Sequence, residues 1–468
     1  MGQRGILAEG AAQTIIENMR DLVGPGLAAA GIAVAPAAHP ASEGVRKGSE
    51  ETQLNAERPA CEPAARPLVA YFGPDLADSA VRRRVAQWRH ARFRVLPLAF
   101  SRNSRTESPP EEFINLGRVS HRSRGRRMLP LAQAALRLVG VRSSLAPVEL
   151  FIGRNLDNAL LAVFARWLAA SSAPLVYEVL DVNRSCTEMG WRGALLRRLE
   201  KWLLARIDLL VVSSPYFATA YYERVLQYQR SWFVFENKIP QWARPMRAAL
   251  PDVKSDVAPL HETDRAGRRQ WRIGWFGYLD DEKSWGILRR LAERLRDDVT
   301  IYVRGMPYTN FDTARFLADV ERLDNVSYGG PYRSPEDLAE VYNAVDIVWS
   351  TDCNVPHANS KWLLTNGVYE AGYFGKPVIG LIGTAVGEFL ASWGSGWCVN
   401  EPMEENLIDF IRNLTVEQYE AKRAAIAGLS ADVFVETDEI ERIWTILQHQ
   451  NALRKMRVHP ANGSSRSC

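Results

Sequence analysis

Two Rossmann-like α/β domains are the fold class this sequence predicts, and three observations predict it. Short apolar runs alternate with amphipathic stretches of helix length in both halves of the chain, the pattern of parallel sheets covered on both faces. Between Pro240 and Arg269 the alternation stops, and Pro and charge replace apolar periodicity, as in a linker. The length of 468 residues calls for two or three domains. Hydrophobic residues at 47% and charged residues at 24% describe a globular chain with a large core.

The chain divides in order. Residues 1–66 are rich in Ala, Gly, Pro and Glu and read as a disordered extension, with one helix possible over Ala8–Leu22. The first domain is expected over 67–240. Leu68–Phe72 is its first strand, Gly73-Pro74-Asp75 turns the chain, and Ser79–Ala91 is a basic helix with Val81, Val85 and Trp88 on one face. Phe93–Leu98 is the next strand. No G-x-G-x-x-G follows the first strand, which disfavours a dinucleotide dehydrogenase. Further strands are expected at Val148–Gly153, Leu175–Val179, Asp208–Ser213 and Trp232–Phe235. Arg192–Ile207 is an amphipathic helix whose stripe of Leu195, Leu196, Leu199, Trp202 and Leu203 is expected to pack on the sheet rather than lie on a membrane.

The segment 118–127, RVSHRSRGRR, carries five Arg and one His and precedes an amphipathic segment. It fits either a solvated loop or an anionic membrane surface. Nucleic acid is disfavoured, because no aromatics interleave the charge and the net charge is only +4. Five scattered Cys, with no C-x-x-C, fit a reducing cytoplasm. No apolar run approaches the roughly 18 residues of a membrane span, and acidic residues ahead of Gly26–Ala38 argue against a signal peptide.

After the linker, 241–270, a second domain is expected over 271–430. Trp271–Phe276 opens it, Val299–Val303 and Asp346–Ser350 continue it, and Ser334, Pro335 and Asp337 start a helix between them. Its centre is Asn359–Gly380, where a polar loop leads into a helix-like segment stopped by Gly375-Lys376-Pro377 before the strand Val378–Gly380. A C-terminal helix is expected over 431–457 and a disordered tail over 458–468.

Two segments carry a resemblance. Thr365-Asn366-Gly367-Val368-Tyr369-Glu370-Ala371 and Gly375-Lys376-Pro377-Val378-Ile379 resemble the donor-binding signature of the retaining, group-1 glycosyltransferases of the GT-B fold, P-N-K-L-Y-E-A-x-x-x-G-K-P-V-I. Gly277-Tyr278-Leu279-Asp280-Asp281-Glu282-Lys283 is similar to that family's G-R-x-x-x-E-K loop. Thr365 and Gly367 replace the pattern's Pro and Lys, Tyr278 its Arg, and Trp362 the earlier Glu of its Glu-x7-Glu pair. The resemblance implies two domains facing a cleft and a retaining, metal-independent hexosyltransferase. It takes a sugar from a nucleotide-diphosphate donor to a lipid-linked saccharide in polysaccharide assembly, at the cytoplasmic face of the cell membrane.

Within the resemblance, Glu370 binds the ribose hydroxyls, and Lys283 neutralises the diphosphate, assisted by Lys361 or Arg304. Gly277, Tyr278, Asn359, Thr365 and Asn366 complete the donor site. Glu178 and Asp181 face the acceptor as catalytic candidates, or cap a helix. No D-x-D occurs, and one Cys (Cys353) with one His (His357) makes no metal site. No cofactor is expected. The replacements at Tyr278, Trp362 and Gly367 leave a second reading open, a catalytically silent protein of the same fold that binds a nucleotide sugar or a partner.

Overall fold

A computed structural model of the chain describes residues 66–75, 78–101, 113–118, 128–182, 184–188, 190–243, 270–308, 311–353 and 358–458. All of them belong to one compact unit, Pro63–Cys468. The expected extension before residue 66, the basic segment beyond Arg118, most of the linker, His357 and the tail after Val458 lie outside the described residues.

The first lobe is built on β1 (Leu68–Gly73), β2 (Arg94–Ser101), β3 (Ile114–Arg118), β4 (Leu150–Arg154), β5 (Leu175–Val179), β6 (Leu209–Val212) and β7 (Trp232–Val234). All pairs are parallel, in the order β3-β2-β1-β4-β5-β6-β7. Its helices are α1 (Ser79–His90), α2 (Met128–Gly140), α3 (Arg142–Leu145), α4 (Asn155–Leu168), α5 (Arg184–Thr187) and α6 (Trp191–Leu204), with a π-helical turn at Phe217–Glu223. Asp78 caps α1 through its carboxylate, which accepts from the Ala80 amide at 2.8 Å.

The second lobe holds β8 (Trp271–Leu279), β9 (Val299–Pro307), β10 (Val326–Tyr328), β11 (Ile347–Trp349), β12 (Val378–Leu381) and β13 (Gly396–Val399), again parallel, in the order β10-β9-β8-β11-β12-β13. Its helices are α7 (Glu282–Arg294), α8 (Thr313–Arg322), α9 (Leu338–Asn343), α10 (Ala358–Trp362), α11 (Asn366–Tyr373), α12 (Ala385–Trp393), α13 (Met403–Asn413) and α14 (Val416–Ala427). Each order reverses beside its first strand, at β1/β4 and at β8/β11, and ligands of open α/β sheets sit at such reversals, outside the carboxyl ends of the strands.

Sequence expectation and structure part in three places. In the β8–β9 pair, β8 runs three residues and β9 four past the expected ends. Gly277 and Gly305 pair there at φ 116° and 149°, and a Cβ on Gly305 would lie 1.8 Å from the Gly277 carbonyl oxygen. Only a glycine pair lets the two backbones pass so closely. The helix expected from Ser334 begins at Leu338 instead, because Asp337 turns its carboxylate back onto Arg333. In α6 only part of the stripe is covered: Leu203 is buried and Leu196 half-buried, while Leu195, Leu199 and Trp202 are exposed.

The chain returns from the second lobe to the first. Val435 bridges Ile239, and α15 (Glu439–Val458) lays Ile440, Ile443 and Leu447 against Tyr71, Val85 and Trp88 of the first lobe. Ile443→Ala empties that contact and is expected to destabilise the fold by about 2–4 kcal/mol. Urea unfolding checks it, with an unchanged slope on denaturant as the sign that the fold itself persists.

Candidate active site

The central helix α11 starts where β11 ends. Thr365 stands at its N-cap with an extended backbone, and its hydroxyl lies 2.6 Å from Ser350 Oγ at the end of β11. One residue into the helix, a Cβ on Gly367 would sit 2.4 Å from the same Ser350 oxygen. A lysine at this position has no room, so glycine here follows from the seating of α11 against the sheet. On the far side, a Cβ on Gly372 would meet the Phe434 ring at 2.1 Å, so the returning strap fixes α11 from behind.

Glu370, one turn into α11, is buried and accepts a 2.7 Å hydrogen bond from the Tyr342 hydroxyl of α9. Burial raises its carboxyl above the ordinary value, against the opposing pull of that bond and of Arg83. Arg83 comes from α1, across the lobe boundary. Burial lowers its guanidinium, and the charge of Glu370 offsets part of that loss. The charges of Glu370 in the second lobe and Arg83 in the first are thus near enough to act on each other. The hydroxyls of Tyr342 and Tyr332 are both raised, by burial first and by Glu370 second.

The other residues expected at the donor site fall into separate groups. Thr365 is half-buried and Asn366 exposed in the first turn of α11, on the same helix as Glu370. Arg304, at the end of β9, donates to the Gly330 and Pro331 carbonyls, the Tyr302 hydroxyl and Glu340, at 2.9–3.2 Å. These bonds spend its guanidinium on holding the loop after β10, so the expected assistance to a diphosphate is not what its placement serves. Gly277 and Tyr278 lie on the β8–β9 extension, where Tyr278 is exposed and meets Tyr308 edge-on.

Lys283 lies in the first turn of α7, which Asp281 caps by accepting from the Lys283 and Ser284 amides at 3.0 and 3.1 Å. Its ammonium lies 2.9 Å from Glu401, and that hydrogen bond raises it above the usual lysine range. Asp280 beside it is pushed up to about 6, by burial first and then by Asp352 and Asp281. Ser360 of α10 donates to Asp352 at 2.7 Å, which ties this acidic corner to the loop carrying Asn359 and Lys361. Lys361 is exposed.

Asn359 does more than the sequence predicts. Its side-chain oxygen accepts from the Val182 amide of the first lobe at 3.0 Å. Trp362 and Leu363 follow it into the first lobe's core, where Trp362 meets Tyr221 at 6.4 Å. Tyr369 donates to Glu236 at 2.9 Å, and Tyr216 donates to Glu388. These contacts are the polar and apolar seam between the lobes.

Glu178 is buried in the first lobe, at the carboxyl end of β5. It accepts from Arg84 Nε at 2.6 Å and from Tyr71 at 2.7 Å, with Arg154 Nε at 3.9 Å. Burial would raise it, but Arg84, Arg154 and the Tyr71 bond outweigh burial and hold it below the usual carboxylate range. Direct contact with an acceptor is thus a poor account of Glu178, and Asp181, exposed two residues past the strand, is the more accessible carboxylate. Helix α5 begins three residues after Asp181, at Arg184.

Arg83, Arg84 and Arg154 were not among the residues singled out from the sequence. A signal for Arg84 exists: it lies three residues after Val81 and four before Trp88, on the apolar face of α1. Arg84 also donates to Gln87 at 2.9 Å, and Gln87 donates to Glu436 of the returning strap.

No protein-family model matches the chain. It is 30% identical over 377 residues to the succinoglycan biosynthesis protein ExoL of Rhizobium meliloti, an overlap of 79% of this chain and 91% of that protein. Among solved structures, Anabaena HepE in complex with UDP and glucose superposes with a TM-score of 0.58 at 16% identity, over 83% of this chain and all of that one. The lipopolysaccharide outer core galactosyltransferase WaaB superposes at 0.52 with 12% identity, over 82% and 99% of the two chains. The two structural likenesses establish the fold.

Glu436 carries a pH signature. Burial first, against Arg84, the Gln241 amide and Gln87, and with Glu439 adding to it, lifts its carboxyl to about 7. The unfolded chain holds fewer protons than the folded one between the ordinary value of 4.5 and 7, so stability falls as pH rises through that window. Glu436→Gln is expected to flatten this slope by on the order of 2–3 kcal/mol across the window. Urea unfolding at a series of pH values measures it.

Proposed function

The chain belongs to the GT-B glycosyltransferases of the group-1 type, and from that membership we propose that it moves a sugar from a nucleotide-diphosphate donor to a saccharide acceptor, with retention at the anomeric carbon. Kinship with a succinoglycan biosynthesis protein supports polysaccharide assembly as the setting. The acceptor we infer is a lipid-linked saccharide presented at the cytoplasmic face of the membrane, and the UDP held by a protein of the same fold makes a uridine diphosphate sugar the first donor to try.

The observation that carries this reading is Glu370. A buried carboxylate with Tyr342 on one oxygen, beside the carboxyl ends of the strands and within charge range of Arg83, suits a vicinal diol. Ribose hydroxyls donating to it favour its ionised form, so donor binding weakens in acid. Lys283 is the cation for the diphosphate, with exposed Lys361 to assist. As the glycosidic bond breaks, negative charge grows on the leaving phosphate, and a fixed ammonium in a site closed to water stabilises it more than bulk solvent does. To act so, Lys283 exchanges Glu401 for phosphate oxygens. The chain has no D-x-D to hold a metal on the diphosphate, so cationic side chains and helix N-termini carry that charge.

On the acceptor side, Asp181 is the carboxylate placed to touch the incoming hydroxyl. Glu178 acts as a positioning residue that orders Arg84, Arg154 and Tyr71 behind it. Gly277 and Tyr278 form the rim of the donor site, Asn359 its hinge to the first lobe, and Thr365 and Asn366 the helix start beneath the phosphates. A second reading, a silent nucleotide-sugar-binding protein, draws on the Lys283–Glu401 pair and on Trp362, which is half-buried at the lobe seam in place of a carboxylate.

Kinetics on purified protein separate the two readings. Lys283→Ala is expected to cut turnover by on the order of a hundredfold or more with the melting temperature unchanged. Glu370→Ala is expected to raise the KM for the donor with the smaller effect on kcat. Equal turnover in both variants removes the site assignment. Donor binding without any release of nucleotide diphosphate favours the silent reading.

A further inference from the structure

The sheet of the first lobe reverses its order between β1 and β4, and β5 lies next to β4. Arg154 is the last residue of β4, in register with Glu178 of β5. It is 1% exposed, and its Nε and Nη1 atoms are buried with no hydrogen-bond partner among the described residues. A Glu178 oxygen stands 3.9 Å from Nε, but that oxygen already accepts from Tyr71 at 2.7 Å, and Arg84 takes the other at 2.6 Å. Glu178 is spent and Arg154 is not. Buried polar groups are nearly always hydrogen-bonded, and a guanidinium without acceptors is costly unless a ligand brings them.

Arg83 adds a second unspent cation. It is half-buried on α1 and makes no hydrogen bond or ion pair among the described residues. Arg84 and Arg154 are within charge range of it, as are Glu370 and Glu436. Of the three guanidiniums gathered here, only Arg84 is engaged. The nearby acids have other tasks. Asp78 caps α1, Glu436 accepts from Gln87, and Glu370 belongs to the opposite lobe, where it accepts from Tyr342. Asp181 is exposed, where water and salt screen its charge. The turn after β4 leaves acceptors unmet as well: Asn155, at φ 63°, and Asn158 each keep a buried side-chain oxygen without a donor. Unmet donors and unmet acceptors at one strand end suit a ligand that carries both an oxyanion and hydroxyls.

We propose that Arg154, with Arg83 beside it, binds an acidic group, a phosphate or a carboxylate, carried by the acceptor saccharide. A guanidinium offers paired N–H groups to two oxygens of such a group, and charge-assisted bonds of this kind are the strong ones. A neutral sugar would leave the buried charge unanswered. Asp181, given above to the incoming hydroxyl, is within charge range of Arg154, so the acid lies close to the position that reacts. The inference rests on the proposed function only in taking the ligand to be the acceptor. Its test needs no donor, so it can fail while the transfer reading stands.

Calorimetric titration of the full chain with glucose, glucose 1-phosphate and glucuronate tests it. Glucose 1-phosphate carries its acid where a lipid-linked sugar does and glucuronate carries it on the ring, so the tighter of the two identifies the source. At least one is expected to bind on the order of tenfold to a hundredfold more tightly than glucose. R154Q and R83Q are each expected to remove most of that preference. R83Q gives up no hydrogen bond, so it is expected to melt as the wild type does and decides the matter if R154Q fails to fold. Equal affinity for the three probes, or none, overturns the proposal, as does a preference that R83Q retains. So does displacement of the acidic probe by UDP, which would give these guanidiniums to the donor.

Discussion

A guanidinium buried against a carboxylate, Arg84 on Glu178 at 2.6 Å, is the contact on which the arrangement of the two lobes depends. Both groups are almost fully withdrawn from water, where an unpaired charge costs several kcal/mol. Each is therefore retained only because the other is present, with Tyr71 and Arg154 completing the set. The same arginine reaches Gln87, and Gln87 reaches Glu436 on the strap that returns from the second lobe. The ion pair thus joins β5, α1 and the strap, and the strap carries Phe434, which closes on Gly372 of the central helix. A change at Arg84 would be felt at α11 through contacts that are all packed or hydrogen-bonded.

The lobe seam has two characters. Trp362 and Leu363 put an apolar contact into the first lobe's core, while Asn359, Tyr369 and Tyr216 add hydrogen bonds along its length. An enzyme of this class works by admitting two substrates and then excluding water, which asks for lobes that part and close. The seam shows how that is compatible with a defined structure. The strap and α15 keep the lobes attached through a large apolar contact, and the hydrogen bonds of the seam are few and replaceable by water. Each costs little to open, since a hydrogen bond in folding exchanges one partner for another.

The strand–helix alternation of both lobes is legible in the sequence because a buried parallel strand and an amphipathic helix have different periods. The stop of α11 is legible too: Gly375 takes φ 67°, as a helix end before Pro377 requires. What periodicity does not tell is what covers a face once it exists. The stripe of α6 reads as a core-facing stripe, yet part of it lies open, because covering it would take an element that the described chain does not supply. Trp362 and Gly367 read as departures from a pattern. In three dimensions one fills the seam and the other makes room for Ser350. Arg304 and Glu178 have the residue type that a charged substrate needs, but Gly330 and Glu340 on the one and Tyr71 and Arg84 on the other come from 26 to 107 positions away in the chain. Such pairings are invisible to spacing.

The central claim is that a nucleotide sugar is held in the second lobe at Glu370, against the first lobe's Arg83. Amide hydrogen exchange with and without saturating uridine, guanosine or adenosine diphosphate sugar tests it most directly. The account predicts that one of these donors slows exchange over Asn366–Tyr373 and Leu338–Asn343, and at the start of α7 around Lys283. Protection confined to other segments, with those three unchanged by a donor that demonstrably binds, would contradict it.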